Sequence, residues 1–321
     1  MQSFQELSKI FSAKFNVRHF PEHTRSLYDP AQYILGLDGK RIRPVLCLMG
    51  NELVDEITAD AWEVATAVEL FHNFTLIHDD IMDKAPLRRG HETVHAKYGE
   101  NTALLAGDVM MVAAYDHLNK IGSTHLHRIL HLFNRTAKEV CEGQQQDMDF
   151  EKRNDVSFDE YIRMIELKTS VLLAASLQMG AILGGAGEGN QKHLYEFGKN
   201  LGIAFQIQDD YLDAFGDPEK FGKQAGGDIM ANKKTFLLIH TREVASSQQK
   251  NELDELMRTN AADKVKKVLK IFKDCSVDKW AAELKEQFVQ KAFHHLDEIA
   301  VLSKRKEPLK ELAQYLIQRE K

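Results

Sequence analysis

The sequence has few cysteines: Cys47, Cys141 and Cys275 are the only three in 321 residues, and they show no CxxC spacing. This pattern excludes a disulfide framework and a thiolate metal site, and it predicts a reducing compartment. The first twenty residues mix charged and apolar side chains, so we expect no signal peptide and a cytoplasmic protein. The formal net charge of -6 argues against a nucleic-acid-binding surface.

Proline is also scarce, with six residues in all and none between Pro86 and Pro218. Because proline breaks helix interiors, a long proline-free stretch with apolar residues at spacings of three and four predicts helices. The sequence shows no sustained alternation of apolar and polar residues and no Asn-Gly hairpin signal. These absences predict an all-α fold, and the lack of a recognisable linker predicts a single domain over residues 1–321.

The periodicity also predicts where the main helices lie. We expect helices over residues 59–83, 101–119, 125–149, 158–184 and 194–215. A turn is expected from Pro21 to Pro30, and breaks near Thr259, Cys275 and Pro308. The longest apolar run, Val171 to Ala186, is interrupted by polar residues and glycines. It is too short and too polar to span a membrane, so we expect a buried helix and no transmembrane segment.

What the chain does contain is two clusters of aspartates with the same pattern, Asp-Asp-x-x-Asp, each at the end of an apolar helical run. They are Asp79, Asp80 and Asp83, and Asp209, Asp210 and Asp213. Residues four apart share a helix face, where like charges repel, so each cluster calls for a cation. Oxygen-only ligands suit a hard divalent ion, with Mg²⁺ the first choice.

Basic residues occur in three glycine-containing segments. Residues 39–44, GKRIRP, form a basic loop that opens a helix, and helix N-termini with cations suit phosphate groups. Residues 87–90, LRRG, carry paired arginines whose forks match phosphate oxygens. Residues 216–234 are predicted to form a mobile lid with Lys223, Lys233 and Lys234. The alternatives are an ordinary basic loop and an intramolecular ion pair with the aspartates.

Residues 91–95 match the zinc-protease letters HExxH. A zinc site requires a helix that carries both histidines on one face, together with a third ligand. The ExxH pairs at Glu69 and Glu92 also match the letters of a di-iron carboxylate bundle, which needs two further inward glutamates. Neither set of additional ligands is recognisable in the sequence.

Taken in order, these segments resemble the trans-isoprenyl diphosphate synthases of the polyprenyl synthetase family over most of the chain. The marks are GKRIRP (39–44), FHNFTLIHDDIMD (71–83), LRRG (87–90), KT (168–169), FQIQDDYLD (205–213) and GGDIMANKKT (226–235). The resemblance implies an isoprenoid-synthase-like bundle of mostly antiparallel helices around a central cavity, usually in a homodimer. The family commonly has a Thr and a His after its RRG, which accounts for residues 91–95.

The resemblance implies head-to-tail condensation of isopentenyl diphosphate with an allylic diphosphate, giving a short trans-prenyl diphosphate, C15 or C20. The allylic substrate would be dimethylallyl, geranyl or farnesyl diphosphate. The alternative is a non-catalytic, synthase-like regulatory subunit of a heteromeric enzyme. Such subunits tend to lose aspartates or arginines, whereas this chain keeps both aspartate motifs complete.

The resemblance also assigns roles to individual residues. Asp79, Asp83 and Asp209 would hold about three Mg²⁺ ions against the allylic diphosphate, with Asp80, Asp210 and Asp213 close by. The allylic diphosphate would be bound by Arg88, Lys168 and Lys233, with Lys223 in the adjoining loop. Isopentenyl diphosphate would be bound by Lys40, Arg43, His72 and Arg89. Thr169 and Gln206 would face the reacting carbons. Product length would depend on Phe74 and Phe71, although helix geometry places Thr75 nearer the Asp79 face.

Overall fold

The structure is a computed structural model that describes residues 1–216, 226–259 and 261–318. Its elements within those ranges confirm the all-α prediction. They are α1 (Phe4–Phe15), α2 (Arg25–Leu35), α3 (Ile42–Glu52), α4 (Ala59–Met82), β1 (Leu87–Arg88), β2 (His91–Glu92), α5 (Val94–Tyr98), α6 (Glu100–Leu118), α7 (Ser123–Glu151), α8 (Phe158–Ile165), α9 (Val171–Leu183), α10 (Glu188–Phe215), α11 (Gly227–Met230), α12 (Phe236–Val244), α13 (Ser247–Met257), α14 (Lys264–Asp274), α15 (Val277–Asp297) and α16 (Ser303–Ile317).

Helix α4 shows how the sequence sets these boundaries. It begins where the Thr58 side chain accepts a hydrogen bond from the backbone N–H of Ala61, which satisfies one of the free donors at the helix start. It ends at the first aspartate cluster, where the Asp83 N–H donates to the Asp79 carbonyl and Lys84 takes a left-handed φ of 51°. The helix predicted over 59–83 is therefore confirmed.

Two predictions about proline are wrong. Pro30 lies inside α2, where a turn was expected, and Pro308 lies inside α16, where a break was expected. In both helices buried apolar residues follow the proline, including Ile34 in α2 and Leu312 in α16. Packing of these faces outweighs the backbone hydrogen bond that proline removes. The small hairpin of β1 and β2, which pairs Leu87 with Glu92, also had no signal in the sequence.

The chain divides into two compact units. The first unit comprises Met1–Arg135, Ala175–Tyr195 and Ile299–Leu309, and the second comprises Thr136–Ala174, Glu196–Glu298 and Lys310–Lys321. In the first unit, α4 packs against α6 through small buried residues that include Ala67 on α4 and Ala106 on α6. Helix α4 is buried along most of its length, whereas α6 keeps large apolar side chains such as Leu105 and Val112 exposed. The first aspartate cluster lies at the C-terminal end of α4.

The core of the second unit is a cluster of aromatic and aliphatic side chains. Phe236 on α12, Phe272 on α14 and Leu253 on α13 lie at most 1% exposed within it. Ile203 and Ile207, one turn apart on α10, are also buried in this cluster. This packing fixes α10, and the second aspartate cluster lies at the C-terminal end of that helix.

One helical segment among the described residues, Phe158–Leu183, is long and apolar enough to cross a membrane by length and composition. Within its most apolar stretch, 78% is buried inside the protein. A buried core helix passes the same test of length and composition. The burial matches the core helix that was expected from the apolar run Val171 to Ala186.

Candidate active site

The first aspartate cluster is held by an arginine of the hairpin. Asp80 is 1% exposed, and its two carboxylate oxygens accept hydrogen bonds from Arg88 Nε at 2.8 Å and Arg88 Nη2 at 2.7 Å. This fork geometry is the strong, bidentate form of the interaction. The alternative of an intramolecular ion pair is therefore what the structure shows for Arg88 and Asp80. Asp79 is partly buried and Asp83 is exposed at the same helix end.

Beside this cluster, the first unit gathers basic side chains from α3, α4 and the hairpin. Arg43 Nη1 lies 3.1 Å from His72 Nε2. Burial, followed by the neighbouring guanidinium of Arg43, holds the pKa of His72 well below its usual value, so the neutral ring accepts this hydrogen bond. Burial also lowers the pKa of Arg43 to about 10, while Glu69 acts in the opposite direction. Arg89 lies against Gly39 of the basic loop.

Arg41, in the same basic loop, has a different place that the sequence did not reveal. Its guanidinium pairs with Glu69, and both side chains are at most 4% exposed. It also donates to the Leu35 carbonyl at 2.8 Å, and Asn73 donates to Glu69 Oε1 at 3.0 Å. This buried network ties the loop to α4. Arg41 therefore supports the basic cluster from within, whereas Lys40 is exposed.

In the second unit, a cavity of about 260 Å³ opens at the second aspartate cluster. It is lined by acidic, basic and neutral side chains together. They are Asp147, Tyr161, Met164, Ile165, Lys168, Thr169, Gln206, Asp209, Asp210, Asp213, Asp228, Lys233, Lys234 and Thr235. The predicted residues of this unit that the structure describes thus meet at one cavity. Lys223 lies outside the described residues.

Lys168 and Thr169 lie on a π-helical turn, Glu166–Ser170, between α8 and α9. Such turns are rare and frequently occur at functional sites. Helix α7 approaches the turn closely, because a Cβ on Gly143 would come within 2.3 Å of the Lys168 backbone nitrogen. The close approach brings Asp147 of α7 within 2.5 Å of the Lys168 ammonium. Only glycine at 143 permits this arrangement.

A chain of hydrogen bonds joins the π-helical turn to the second aspartate cluster. Thr169 Oγ1 donates to Gln206 Oε1 at 3.2 Å, and Gln206 Nε2 donates to Asp210 Oδ1 at 2.9 Å. The Tyr161 hydroxyl donates to the other oxygen of Asp210. Burial, followed by the nearby charge of Asp228, raises the pKa of Asp210 to about 7. Asp210 thus holds Gln206 in place.

Residues 226–235 position acidic and basic groups together. Asp213 Oδ2 accepts a hydrogen bond of 2.9 Å from the backbone N–H of Asp228, and the Asp228 carboxylate lies 3.5 Å from Lys233 Nζ. Sequence reasoning assigned no role to Asp228, Asp147 or Tyr161. Asp228 lies within the GGDIMANKKT motif, and Asp147 follows the polar run Gln144 to Gln146. Tyr161 had no signal, because its partner is 49 residues away.

The donor atoms that border the cavity of the second unit suit a hard divalent cation. Five aspartates border it, and burial, followed by the nearby charge of Asp228, raises the pKa of Asp210. Within the described residues, no three His, Cys, Asp or Glu side chains are already arranged as a complete metal site. This is compatible with Mg²⁺, which keeps several waters and commonly binds through one or two carboxylates together with phosphate oxygens. The aspartates therefore fit a metal that arrives with a diphosphate.

The zinc reading of residues 91–95 does not fit the structure. His91 lies on strand β2, whereas His95 lies on the five-residue helix α5. The two histidines are not on one face of a helix, which the zinc-protease site requires.

Below the first aspartate cluster, α4 carries the residues assigned to product length. Phe71 is 1% exposed, and its ring centroid lies 5.7 Å from that of Phe74 and 5.2 Å from that of Phe133. Phe74 is only partly buried and also contacts the His78 ring at 4.7 Å. The Thr75 hydroxyl donates to the His72 carbonyl on its own helix at 2.8 Å. Phe74 is thus the more accessible of the two phenylalanines.

Comparison with known proteins gives consistent results. The sequence profile of the polyprenyl synthetase family matches residues 24–275. The chain is 37% identical to the geranylgeranyl diphosphate synthase of Saccharolobus solfataricus over 320 residues, which cover 97% of this chain and 96% of the relative. It is 33% identical to the geranylfarnesyl diphosphate synthase of Natronomonas pharaonis, over 91% of this chain and 90% of the relative.

Solved structures agree with these sequence matches. A crystal structure of a geranylgeranyl pyrophosphate synthase has a TM-score of 0.95 and 43% identity, with both chains fully covered. The geranylgeranyl pyrophosphate synthetase from Pyrococcus horikoshii has a TM-score of 0.93 and 34% identity, with 98% of each chain covered. Since the profile, the relatives and the structures all span most of the sequence that carries both aspartate clusters, the chain belongs to the polyprenyl synthetase family.

Proposed function

We propose that this protein condenses isopentenyl diphosphate head-to-tail with an allylic diphosphate to give a short trans-prenyl diphosphate. The observation that carries the proposal is the cavity of the second unit, where aspartates and lysines border the same space as Thr169 and Gln206. The named relatives support it, because they are geranylgeranyl and geranylfarnesyl diphosphate synthases. They support a product of C20 or longer more than one of C15. No observation favours the alternative of a non-catalytic regulatory subunit.

The first chemical step is loss of the allylic diphosphate. Asp79, Asp83 and Asp209, with Asp213 nearby, would hold Mg²⁺, which supplies charge neutralisation for the diphosphate leaving group. Lys168 and Lys233 stabilise the negative charge that develops on that group as the C–O bond breaks. Asp147 and Asp228 hold these two ammonium groups at 2.5 Å and 3.5 Å. The lysines are therefore oriented before the substrate arrives.

The resulting allylic carbocation must be protected from water, which would trap it. Thr169 and Gln206 border the cavity with oxygen atoms whose lone pairs can face a cation. Asp210 and Tyr161 fix the orientation of Gln206 through the hydrogen-bond chain. The alkene of isopentenyl diphosphate then attacks the cation, and we assign the final proton to the diphosphate product.

The basic cluster of the first unit suits the diphosphate of isopentenyl diphosphate. Arg43, Arg89 and Lys40 provide positive charge, and neutral His72 accepts a hydrogen bond from Arg43. The buried pair of Arg41 and Glu69 sets the loop without adding net charge. We also assign Arg88 to the allylic diphosphate, for which it would exchange or share its contact with Asp80.

We further propose that the protein acts as a cytoplasmic homodimer with one domain over residues 1–321. Helix α6 supports the dimer, because it exposes large apolar side chains on its surface. Leu104, Leu105 and Val112 are 40%, 56% and 61% exposed. Exposed apolar side chains grouped on one helix are typical of an interaction surface.

The proposed reaction predicts a strict requirement for Mg²⁺. We expect the purified protein alone to convert isopentenyl diphosphate and farnesyl or geranyl diphosphate into a longer prenyl diphosphate with Mg²⁺, and to lose this activity in EDTA. A chelator selective for zinc should have no effect, since the chain offers oxygen ligands in both clusters. Chromatography identifies the prenyl product, and a diphosphate-release assay measures the rate with Mg²⁺ and with each chelator. Full activity in EDTA, or condensation that needs a second protein, would contradict the proposal.

The assignment of the basic cluster predicts a selective effect on one substrate. We expect Lys40→Ala and Arg43→Ala to raise the KM for isopentenyl diphosphate by roughly 10- to 100-fold, the loss of one or two charge-assisted hydrogen bonds. The KM for the allylic diphosphate should stay within about twofold of the wild-type value, because these two side chains do not contact that substrate in the proposed assignment. Steady-state kinetics with each substrate varied in turn provides the measurement.

Lys9→Ala is the control for this experiment, because Lys9 is an exposed lysine on α1 in the same unit. Arg43→Lys keeps the charge but not the planar fork, so it should give an intermediate KM. Equal rises in both KM values for Lys40→Ala and Arg43→Ala would show that the two diphosphate sites are wrongly assigned.

A further inference from the structure

Lys264 is fully buried, which is unusual for a lysine. It is the first residue of α14 and is 0% exposed. Its ammonium donates a hydrogen bond of 2.7 Å to Oδ1 of Asn232. A buried charge is costly unless it is hydrogen-bonded, and burial lowers the pKa of Lys264 for that reason. The bond to Asn232 is therefore a specific feature of the second unit and not a chance surface contact.

Asn232 occupies the turn that directs two lysines toward the cavity. It has a left-handed φ of 57°, which Asn tolerates better than most residues. Its N–H donates to the Ile229 carbonyl at 3.2 Å, and the Lys233 N–H donates to the Asp228 carbonyl at 3.0 Å. Lys233 and Lys234 follow immediately and border the cavity. A change of backbone angle at Asn232 would thus redirect both ammonium groups.

Asn232 ends a short segment that begins at Gly226, and α14 also contacts the Gly226 end of this segment. Gly226 has a φ of 85°, and a Cβ at that position would lie 2.4 Å from Cγ1 of Val265. The Gly226 N–H donates to the Asp213 carbonyl at 2.6 Å, and the Asp228 N–H donates to the Asp213 carboxylate at 2.9 Å. A four-residue helix such as α11 has no stability of its own. Asp213 on one side and the first turn of α14 on the other therefore hold it.

We propose that Lys264 is a positioning residue that, through Asn232, aims Lys233 and Lys234 at the diphosphate leaving group. This inference rests on the proposed function, in which Lys233 binds the allylic diphosphate. Lys264 itself does not contact the cavity. The hydrogen bond from its ammonium to Asn232 orders the turn on the side away from the cavity. The entropy cost of ordering Lys233 and Lys234 is therefore incurred on folding and not on substrate binding.

The test uses variants that change the acceptor or the donor separately. Lys264→Met keeps an unbranched buried side chain but removes the ammonium. Asn232→Gly allows the left-handed backbone but removes the amide oxygen, whereas Asn232→Asp keeps an acceptor for Lys264. Lys270→Met is the matched control, because Lys270 is an exposed lysine on the same helix and its replacement changes the net charge equally.

The first measurement is calorimetric binding of inorganic diphosphate in the presence of Mg²⁺, which needs no turnover. We expect Lys264→Met and Asn232→Gly each to weaken this binding by about tenfold, as loss of a well-placed charged contact would. The double variant should be no weaker than either single variant, since both break the same link. Asn232→Asp and Lys270→Met should bind like the wild type.

The second measurement separates positioning from general destabilisation. The KM for the allylic substrate should rise in Lys264→Met and Asn232→Gly, while the KM for isopentenyl diphosphate should not change. Additive effects in the double variant, or equal changes in both KM values, would overturn the inference. Unchanged diphosphate binding in folded Asn232→Gly would also overturn it, even if Lys264→Met fails to fold. Wild-type protein that binds diphosphate but makes no prenyl product would instead refute the proposed function alone.

Discussion

Asp209→Asn is expected to lower kcat by roughly 10²- to 10³-fold or more, the loss seen when one electrostatic stabiliser of a transition state is removed. Asp209 borders the cavity beside Asp210, Asp213 and Lys168, where charge develops on the leaving diphosphate. Asn keeps the shape of the side chain but removes the charge that binds a cation. Asp79→Asn and Asp83→Asn should have effects of the same order. A diphosphate-release assay under saturating substrates measures kcat directly.

These replacements should not lower the melting temperature of the protein without metal. Carboxylates at spacings of three and four on a helix repel one another, so removal of one charge relieves repulsion. Asp116→Asn, an exposed aspartate on α6, controls for the change in net charge. A large fall in melting temperature for all three variants, with Asp116→Asn unaffected, would show that the clusters are structural. Wild-type kcat in all three would refute their proposed role as metal ligands.

The aspartate clusters illustrate what the sequence alone could predict. Asp79 lies in the last turn of α4 and Asp83 directly after it with helical backbone angles, and Asp209 and Asp213 have the same spacing on α10. Helix geometry therefore places each pair on one side. The main helices were also predictable, because their apolar residues repeat with a helical period over many turns. Such signals are local, and they need no knowledge of how the chain folds back on itself.

The hydrogen-bond partners around the second aspartate cluster could not be predicted in the same way. Tyr161 and Asp210 are 49 residues apart, and Lys168 and Asp147 are 21 apart, so each pair is set by packing between helices. The π-helical turn that carries Lys168 has no sequence signature, and neither does the approach of α7 to it. The sequence pattern predicts on which helix each side chain lies, but the packing of the helices determines which side chains are in contact.

Arg41 and Arg43 show the same limit within a single motif. The two arginines are two residues apart in GKRIRP, and nothing in the letters separates their roles. In the structure Arg41 pairs with buried Glu69, while Arg43 reaches His72. Arg41 precedes α3 with a left-handed φ of 50°, whereas Arg43 lies within the first turn of that helix. A backbone angle of this kind in a non-glycine residue is set by the surrounding structure.

Replacement of Phe74 by Ala is expected to lengthen the product by at least one five-carbon unit. The growing tail must extend along the helix face below Asp79, and packed interiors resist added volume at a cost of roughly 1–3 kcal/mol or more. Phe74 is partly buried, so its removal opens space without disrupting the core. Products from reactions with excess isopentenyl diphosphate are separated by chromatography, and the rate of the first condensation should be largely intact.

Phe71→Ala is expected to behave differently, because Phe71 is 1% exposed and packs against Phe74 and Phe133. Removal of a fully buried phenylalanine costs about 3–5 kcal/mol in the free energy of unfolding, and Phe74→Ala should cost less. Denaturant unfolding measures both. Phe158→Ala, a partly buried phenylalanine of the second unit that packs on Trp280, is the control and should leave product length unchanged. Phe74→Ala, Phe71→Ala and the double variant could all stay folded and give the wild-type product. The floor of the tail cavity would then lie elsewhere, and Met110 and Met111 of α6 would be the next residues to test.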